Sequence, residues 1–292
     1  MANKKPKVVK TSAPNLIVVS DIHCGCKLGL CPPEGVPLDD GGTYMPSRLQ
    51  CKVWQWWREF WDEWVPRVTR GEPWDLVVNG DAVDGVHHKS TTPISHNLED
   101  QTVVAEAVLR PIVERAHKYY HIRGTEAHVG VSGVEEERLA KRLGAIPNED
   151  GQFARWELWK LVGKASKGHP APLCHILHHI GTTGRAAYET SAVQAELIAE
   201  FTEAGQNQNV PPDYVIRSHR HRYIKAQNPS NHRPETAGIV TPGWQLKTPF
   251  VWKIPGGRVS QPQFGGILIR QGDEEYYTRF RVRSLDRARI ED

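Results

Sequence analysis

An α/β fold is the class this sequence predicts, and three features predict it. Short runs rich in Val, Ile and Leu alternate with longer stretches of helical periodicity; the runs are apolar throughout, as buried parallel strands are; and each ends in a residue able to hold a hard divalent metal. The runs are Leu16 to Val19 before Asp21 and His23, Leu76 to Val78 before Asp81, Tyr119 to Ile122 before Glu126 and His128, Cys174 to Leu177 before His178 and His179, and Tyr214 to Ile216 before His219 and His221. Ligands of α/β sheets gather beyond the carboxyl ends of the strands, so this layout predicts one shared site.

The elements follow in order. Residues 1 to 14 read as a loosely attached arm, and the first strand begins at Asn15. Gly25 to Asp40 is rich in Gly, Pro and Cys and must be a loop; it leaves the strand end that carries Asp21 and His23, so it forms one wall of a cleft. Ser47 to Val65 carries Trp54, Trp57, Phe60, Trp61 and Trp64 at spacings of three and four, one face of a helix that Pro66 ends. Its position between two parallel strands makes that face the buried side of a crossover; a stacking platform for bases is the alternative. Leu98 to Tyr119 is helical, capped by Asn97 or Ser95 and kinked or split at Pro111, and Val134 to Leu143 is a short charged helix. Arg155 to Val162 reads as a strand pairing antiparallel with Leu173 to His179, and Arg185 to Ala204 returns to helical periodicity. After Tyr223 come short β-like pieces, Gly238 to Thr241, Phe250 to Ile254, Gly266 to Arg270 and Tyr276 to Val282, too few for a core of their own. Residues 15 to 292 are therefore expected to form a single domain.

Composition bounds the rest. A chain of 292 residues that is 39% hydrophobic can fill a sizeable core, and 37 basic against 34 acidic side chains leave only +3, which provides no general footprint for nucleic acid. A local basic groove from Arg217, Arg220, Arg222 and Lys225 is one reading of that stretch, a solvated loop the other. No apolar stretch approaches the ~20 residues of a membrane span, and five cysteines, an odd number, do not suggest a disulfide framework; a cytoplasmic protein is expected. Cys24, Cys26 and Cys31 lie close together but lack a nearby fourth ligand, so free thiols are the simpler reading than a further metal.

Asp21 and Asp81 with four or five imidazoles supply mixed oxygen and nitrogen ligands, which suit Mn²⁺, Fe or Zn²⁺ better than an all-oxygen cage for Mg²⁺ or Ca²⁺. A hydrolase with two metal ions is the natural product of such a set.

Asp21-Ile22-His23, Gly80-Asp81-Ala82-Val83-Asp84, the turn at Gly124, His178-His179 and Ser218-His219-Arg220-His221 resemble, in this order, the motifs of the calcineurin-like metallophosphoesterases, over roughly residues 15 to 223. The resemblance implies a four-layer αββα sandwich whose second sheet is completed by the part beyond about residue 224. It implies two divalent ions, Mn²⁺ before Fe or Zn²⁺, the first held by Asp21, His23 and His221, the second by His178 or His179 with His219, and both bridged by Asp81. Asp84 would orient a ligand imidazole through its free N–H. Two places depart from the family pattern. Gly124-Thr125-Glu126-Ala127-His128 stands where Gly-Asn-His-Asp/Glu is usual, and Ser218 stands where Gly usually precedes His-x-His, a change expected to be small. Glu126 or His128 would take over from the missing Asn, and the Gly-Thr-x-x-His form is similar to metallophosphoesterases encoded by tailed phages, which would place the protein in a host cytoplasm. His128 is the expected general acid, His87 and His88 are reserves beside the substrate, and Arg185 would grip a phosphate. The expected function is metal-dependent hydrolysis of a phosphodiester or phosphomonoester, with a small molecule or nucleic acid as partner, no membrane, and an oligomer possible. The alternatives are a DNA nuclease of the same chemistry and a non-catalytic metal-binding interaction module of the same fold.

Overall fold

The computed structural model describes residues 12–87, 89–130, 133–181, 188–228, 233–286 and 290–291. In chain order the strands are β1 (Asn15–Val19), β2 (Val36–Pro37), β3 (Thr43–Tyr44), β4 (Trp74–Asn79), β5 (Lys118–Ile122), β6 (Ala154–Arg155), β7 (Leu158–Leu161), β8 (Leu173–Ile176), β9 (Tyr214–Arg217), β10 (Ile224–Gln227), β11 (Ala237–Val240), β12 (Gln263–Gln271) and β13 (Tyr276–Ser284). The helices are α1 (Arg48–Glu59), α2 (Val65–Thr69), α3 (Leu98–Val113), α4 (Glu126–Val129), α5 (Val134–Arg142), α6 (Glu189–Gln206), α7 (Pro249–Lys253) and α8 (Pro255–Val259).

Two sheets carry the molecule, one in the order β13-β12-β1-β4-β5-β6 and the other β10-β11-β9-β8-β7. Strands β1, β4, β5 and β6 run parallel, as do β8, β9 and β11, and β12, β13, β10 and β7 add antiparallel pairs. The uniformly apolar sequence of β1 is explained by what lies on its two faces. Leu16 and Val18 point into a core between the sheets, with Ile176, Tyr214 and Ile216, whereas Ile17 and Val19 point into a core under the helices, with Trp57, Trp61 and Leu109. A third, smaller core lies where Val193 of α6 meets Ile224 and Val240. Three cores between four layers make the αββα sandwich.

The Trp-bearing face is buried, with Trp57, Phe60, Trp61 and Trp64 in the core under the first sheet. Its helix begins with a reciprocal cap: the Ser47 hydroxyl accepts from the Gln50 N–H at 3.2 Å and the Gln50 side chain accepts from the Ser47 N–H at 3.0 Å. Pro66 does not end it. One wide turn, Phe60–Trp64, in which the Val65 N–H reaches back to the Phe60 carbonyl, makes room for the ring, and the helix stops instead at Arg70 in the left-handed region.

Four further expectations are corrected. Phe250 to Ile254 is helical, because Thr248 caps Val251 and Pro249 occupies the first turn, where a missing N–H costs nothing. The stretch from Arg155 is divided between the sheets, β6 pairing with β5 and only β7 pairing antiparallel with β8. Pro111 lies in the last turn of α3, which ends at Val113, so it does not split the helix. The part beyond residue 224 completes both sheets: β10 and β11 join the second, but β12 pairs with β1 and extends the first. Most of the expected N-terminal arm, and the start of the helix expected from Arg185, lie outside the described residues.

Candidate metal centre and cleft

The parallel strands deliver their carboxyl ends to one place. The loop after β1 carries Asp21 and His23, that after β4 Asp81 and Asp84, that after β8 His178, and that after β9 His219 and His221. Backbone bonds prolong the sheets into these loops: Asp21 N–H to Gly80 O at 3.0 Å, His23 N–H to Asp81 O at 3.0 Å and Ser218 N–H to His178 O at 2.9 Å. One set of ligand atoms, from Asp21, Asp81, His178 and His219, lies within 4.8 Å of one another, and so does a second, from Asp21, His23 and His221. Asp21 belongs to both sets, whereas the family pattern gives that sharing to Asp81.

The backbone at these residues is strained. Asp21 (φ 52°), His23 (49°), Asp81 (52°), His219 (71°) and His221 (52°) are all left-handed, and they are five of the eight non-glycine residues with positive φ among those described. Such a residue costs on the order of 1–3 kcal/mol and persists where surrounding structure enforces it, typically at functional sites. Asp and His are among the side chains that tolerate this region best, so ligand chemistry and backbone demand agree.

Electrostatics favour a cation. Burial pushes Asp21 up, but the His221 imidazole beside it, 3.2 Å from Oδ1, prevails and holds it at about 2. Asp81 also ends well below the carboxylate range, its burial overcome chiefly by His178. His178 is drawn the other way, to about 10, because Asp81 at 3.1 Å outweighs its burial. Yet Asp21 Oδ1 and His178 Nε2, both fully buried, make no well-aligned hydrogen bond with any group described. A negative potential strong enough to hold a proton on His178, with buried carboxylate and imidazole atoms convergent but poorly aligned for hydrogen bonds to one another, fits a divalent ion.

The departure at Gly124 is resolved locally. A Cβ on Gly124 would lie 2.0 Å from Asp81 Oδ1, so only glycine lets the β5 loop come this close. Thr125 then donates its N–H (2.7 Å) and its hydroxyl (3.2 Å) to Asp81 rather than taking up the missing Asn's place as a ligand. Fully buried Glu136, which sequence reasoning passed over as part of a charged helix, accepts from the N–H groups of Ala82 (2.9 Å) and Gly124 (2.5 Å) and fastens the two loops together. Glu126 is exposed on the first turn of α4 and joins neither set of ligand atoms. His179 is exposed too: alternation along the chain that buries His178 turns its neighbour outward, so the pair contributes one ligand.

His128 stands beside the second set, its ring 4.5 Å from that of His23 and 4.4 Å from that of His87. Its Nδ1–H donates to the Asp84 carbonyl at 2.7 Å, which leaves Nε2 as the free nitrogen, and burial lowers the ring to about 4. At neutral pH it is uncharged and must take up a proton before it can give one. Asp84 Oδ1 lies 3.2 Å from His23 Nδ1, close enough to orient that imidazole. His87 lines the cleft; His88 and Arg185 lie outside the described residues.

The cluster opens into a cleft of about 600 Å³. His23, Asp81, His219 and His221 form one end, and Leu246, Phe250, Val251 and Ile254, the last three from α7 and the turn after it, form the facing wall. The basic stretch is committed internally: Arg217 is buried against Glu196 (2.8 Å) and Glu200 (3.1 Å), Arg222 pairs with Glu189 (3.4 Å), Lys225 with Glu235, and Arg220 reaches the Gly181 carbonyl. The five thiols are free, four of them buried and Cys51 half-buried, with burial pushing Cys26 and Cys31 up to about 12.

No family model matches the chain, and no curated protein matches it either. Among solved structures it is similar to vacuolar protein sorting 29 from Cryptosporidium parvum (8% identity, 94% of this chain and 100% of that one, TM-score 0.35). It is similar as well to a conserved protein from Streptococcus pneumoniae described as a predicted phosphoesterase (10%, 93% and 99%, TM-score 0.32) and to the sulfate thiohydrolase SoxB of Thermus thermophilus (10%, 97% and 58%, TM-score 0.38). At such scores these likenesses add nothing to the site, which rests on its own geometry. The layers are those that the metallophosphoesterase resemblance implies.

Proposed function

We propose that this chain is a metal-dependent phosphoesterase that uses two divalent ions. The observation that carries the reading is the convergence of Asp21, His23, Asp81, His178, His219 and His221, five of them held in a strained backbone, with buried donor atoms poorly aligned for hydrogen bonds to one another. Asp21, His23 and His221 would hold one ion, and Asp81, His178 and His219 the other, with Asp21 in reach of both. The mixed ligand set favours Mn²⁺, Fe or Zn²⁺. Bound there, the ions would lower the pKa of a water towards neutrality and draw charge off the phosphoryl oxygens.

The chain's own residues do the rest. Ionised Asp21 and Asp81 offset the repulsion between two close dications. Thr125 and Glu136 hold the Asp81 loop in place. His128 lines the cleft and would pass a proton from Nε2 to the leaving oxygen. The apolar wall at Leu246, Val251 and Ile254 fits the organic part of a small phosphoester, and the internal pairing of Arg217, Arg222 and Lys225 weighs against a nucleic-acid groove. Metal analysis joined to hydrolysis of nitrophenyl phosphate and bis-nitrophenyl phosphate with Mn²⁺ tests the reading. Two ions per chain and chelator-sensitive turnover are expected. Bound ions without turnover of either ester would leave a binding module, and no bound ion would remove the reading altogether.

A further inference from the structure

Beside the Asp and His cluster, four polar side chains, of which sequence reasoning weighed only Ser218, form an unbroken line between the two sheets. Asn79 Nδ2 lies 2.6 Å from Ser218 Oγ, Ser218 Oγ 2.6 Å from Thr241 Oγ1, Thr241 Oγ1 2.7 Å from Ser20 Oγ, and Ser20 Oγ 2.5 Å from Asp21 Oδ2. All four are fully buried. Asn79 and Ser20 sit at the ends of β4 and β1 in the first sheet, Ser218 and Thr241 just past β9 and β11 in the second. This is where Ser218 replaces the glycine of the related motif, and its hydroxyl is the group that glycine would lack.

The line has one direction. Asn79 Nδ2 also contacts the Leu177 carbonyl at 2.9 Å, which can only accept, so the amide nitrogen faces that way and must donate to Ser218 as well. Ser218 therefore passes its own proton to Thr241, Thr241 to Ser20, and Ser20 to the carboxylate, which can only accept. Each of the last two hydroxyls has another acceptor at 3.4 Å, Arg217 O for Thr241 and Pro242 O for Ser20. The carboxylate at one end, which can only accept, and the Asn79 amide nitrogen at the other, which can only donate, align them towards Asp21, and aligned hydrogen bonds strengthen one another. The result distinguishes the two oxygens of Asp21: Oδ2 receives the Ser20 hydroxyl and, at 3.3 Å, the His219 N–H, while Oδ1 faces the cluster, where its nearest polar neighbour is the imidazole of His221 at 3.2 Å.

We infer that Ser218, through Thr241 and Ser20, is a positioning residue that fixes Asp21 with one oxygen saturated and the other turned to the cluster for a cation. This rests on the metal reading above, and wild-type Mn²⁺ binding by calorimetry tests that reading first. Two cuts and one repair test the line. Ser218→Ala removes the hydroxyl that receives from Asn79, Thr241→Val removes the next at equal volume, and Thr241→Ser restores a hydroxyl in less space. Ser218→Ala and Thr241→Val should each weaken Mn²⁺ binding by roughly 10-fold or more, the usual scale for groups that orient a ligand, whereas Thr241→Ser should stay within about threefold of wild type. Unfolding with chelator present separates positioning from bulk stability. If both cuts lower the midpoint but leave Mn²⁺ affinity unchanged, or if Thr241→Ser weakens binding as much as Thr241→Val, the inference is overturned. A wild type that binds no Mn²⁺ overturns it together with the function it rests on.

Discussion

The two sheets contribute to the cluster in unlike ways. The first supplies the acids and His23 from loops that are fully buried, with Asp21 and Asp81 at 0% exposure. The second supplies imidazoles along a gradient: His178 is buried, the His221 side chain is 22% exposed and that of His219 47%. Charge is thus set in the dry half, where hydroxyls hold Asp21 Oδ2, Thr125 holds Asp81 and Glu136 fastens the Asp81 loop, and the half open to the cleft holds groups that are neutral when they give up a proton. A buried carboxylate is costly unless each oxygen is occupied, so the dry half must be built to closer tolerance. Substitutions there should cost more than equivalent ones at the open end.

The sharpest way to break this contrast is at the acids. Asp21→Ala should lose both ions and abolish hydrolysis, because Asp21 alone stands in both ligand sets. Asp81→Ala should lose at least the ion of His178 and His219. Metal analysis of the two variants decides which acid bridges: loss of both ions from Asp81→Ala with one retained by Asp21→Ala would return the bridge to Asp81.

Next in size is the support under the dry half. Trp57 and Trp61 pack edge to face, 5.3 Å between ring centres, in the core that backs β1. Each replaced by Ala should cost on the order of 3–5 kcal/mol through the cavity left behind, read as a lower unfolding midpoint. Unchanged midpoints would mean that the buried half does not depend on this core.

A smaller effect is expected from His128→Ala, which should keep both ions and slow hydrolysis of an ester with a poor leaving group by roughly 10², with nitrophenyl esters suffering less. Because burial holds the ring at about 4, its protonated fraction rises as pH falls towards that value. With the metals kept saturated, the gap between wild type and variant should therefore widen as the pH is lowered from neutrality. A gap that narrows would mean that His128 accepts the proton rather than giving it, and loss of an ion would make it a ligand.

Much of this arrangement was legible in the sequence, and the illegible part has a physical cause. Strand ends carrying Asp21, Asp81, His178 and His219 could be read because apolar runs stop abruptly at polar residues, and the Trp spacing marked a core helix. Which of His178 and His179 enters the site depends on a single alternation of the backbone. Glu136 lies one helix away from the motifs and looks like any other residue of a charged helix, and the hydroxyl line joins residues up to 221 positions apart. The helix at α7 was hidden because Phe250 to Ile254 is apolar enough for a strand, and only Thr248 and Pro249 mark a helix start. One signal was available unused: Ser20, Asn79, Ser218 and Thr241 are all polar residues closing otherwise apolar strands, a place where a side chain is buried and must find a partner.

The smallest effects should come from the exposed residues that the motif pattern put forward. Glu126 would have to leave solvent to reach an ion, and Thr125, next to it, already occupies the approach to Asp81. His179 stands beside the open half, its ring 6.1 Å from that of His219, close enough to be felt by an ion but not in the ligand set. Glu126→Gln and His179→Ala should therefore retain two ions, with Mn²⁺ affinity and hydrolysis within about threefold of wild type, since charges exposed to water interact weakly. Calorimetry and nitrophenyl ester turnover on the two variants would check this. Loss of an ion from Glu126→Gln would show that α4 swings inward when metal binds, and would move the boundary between the dry and the open half of the site.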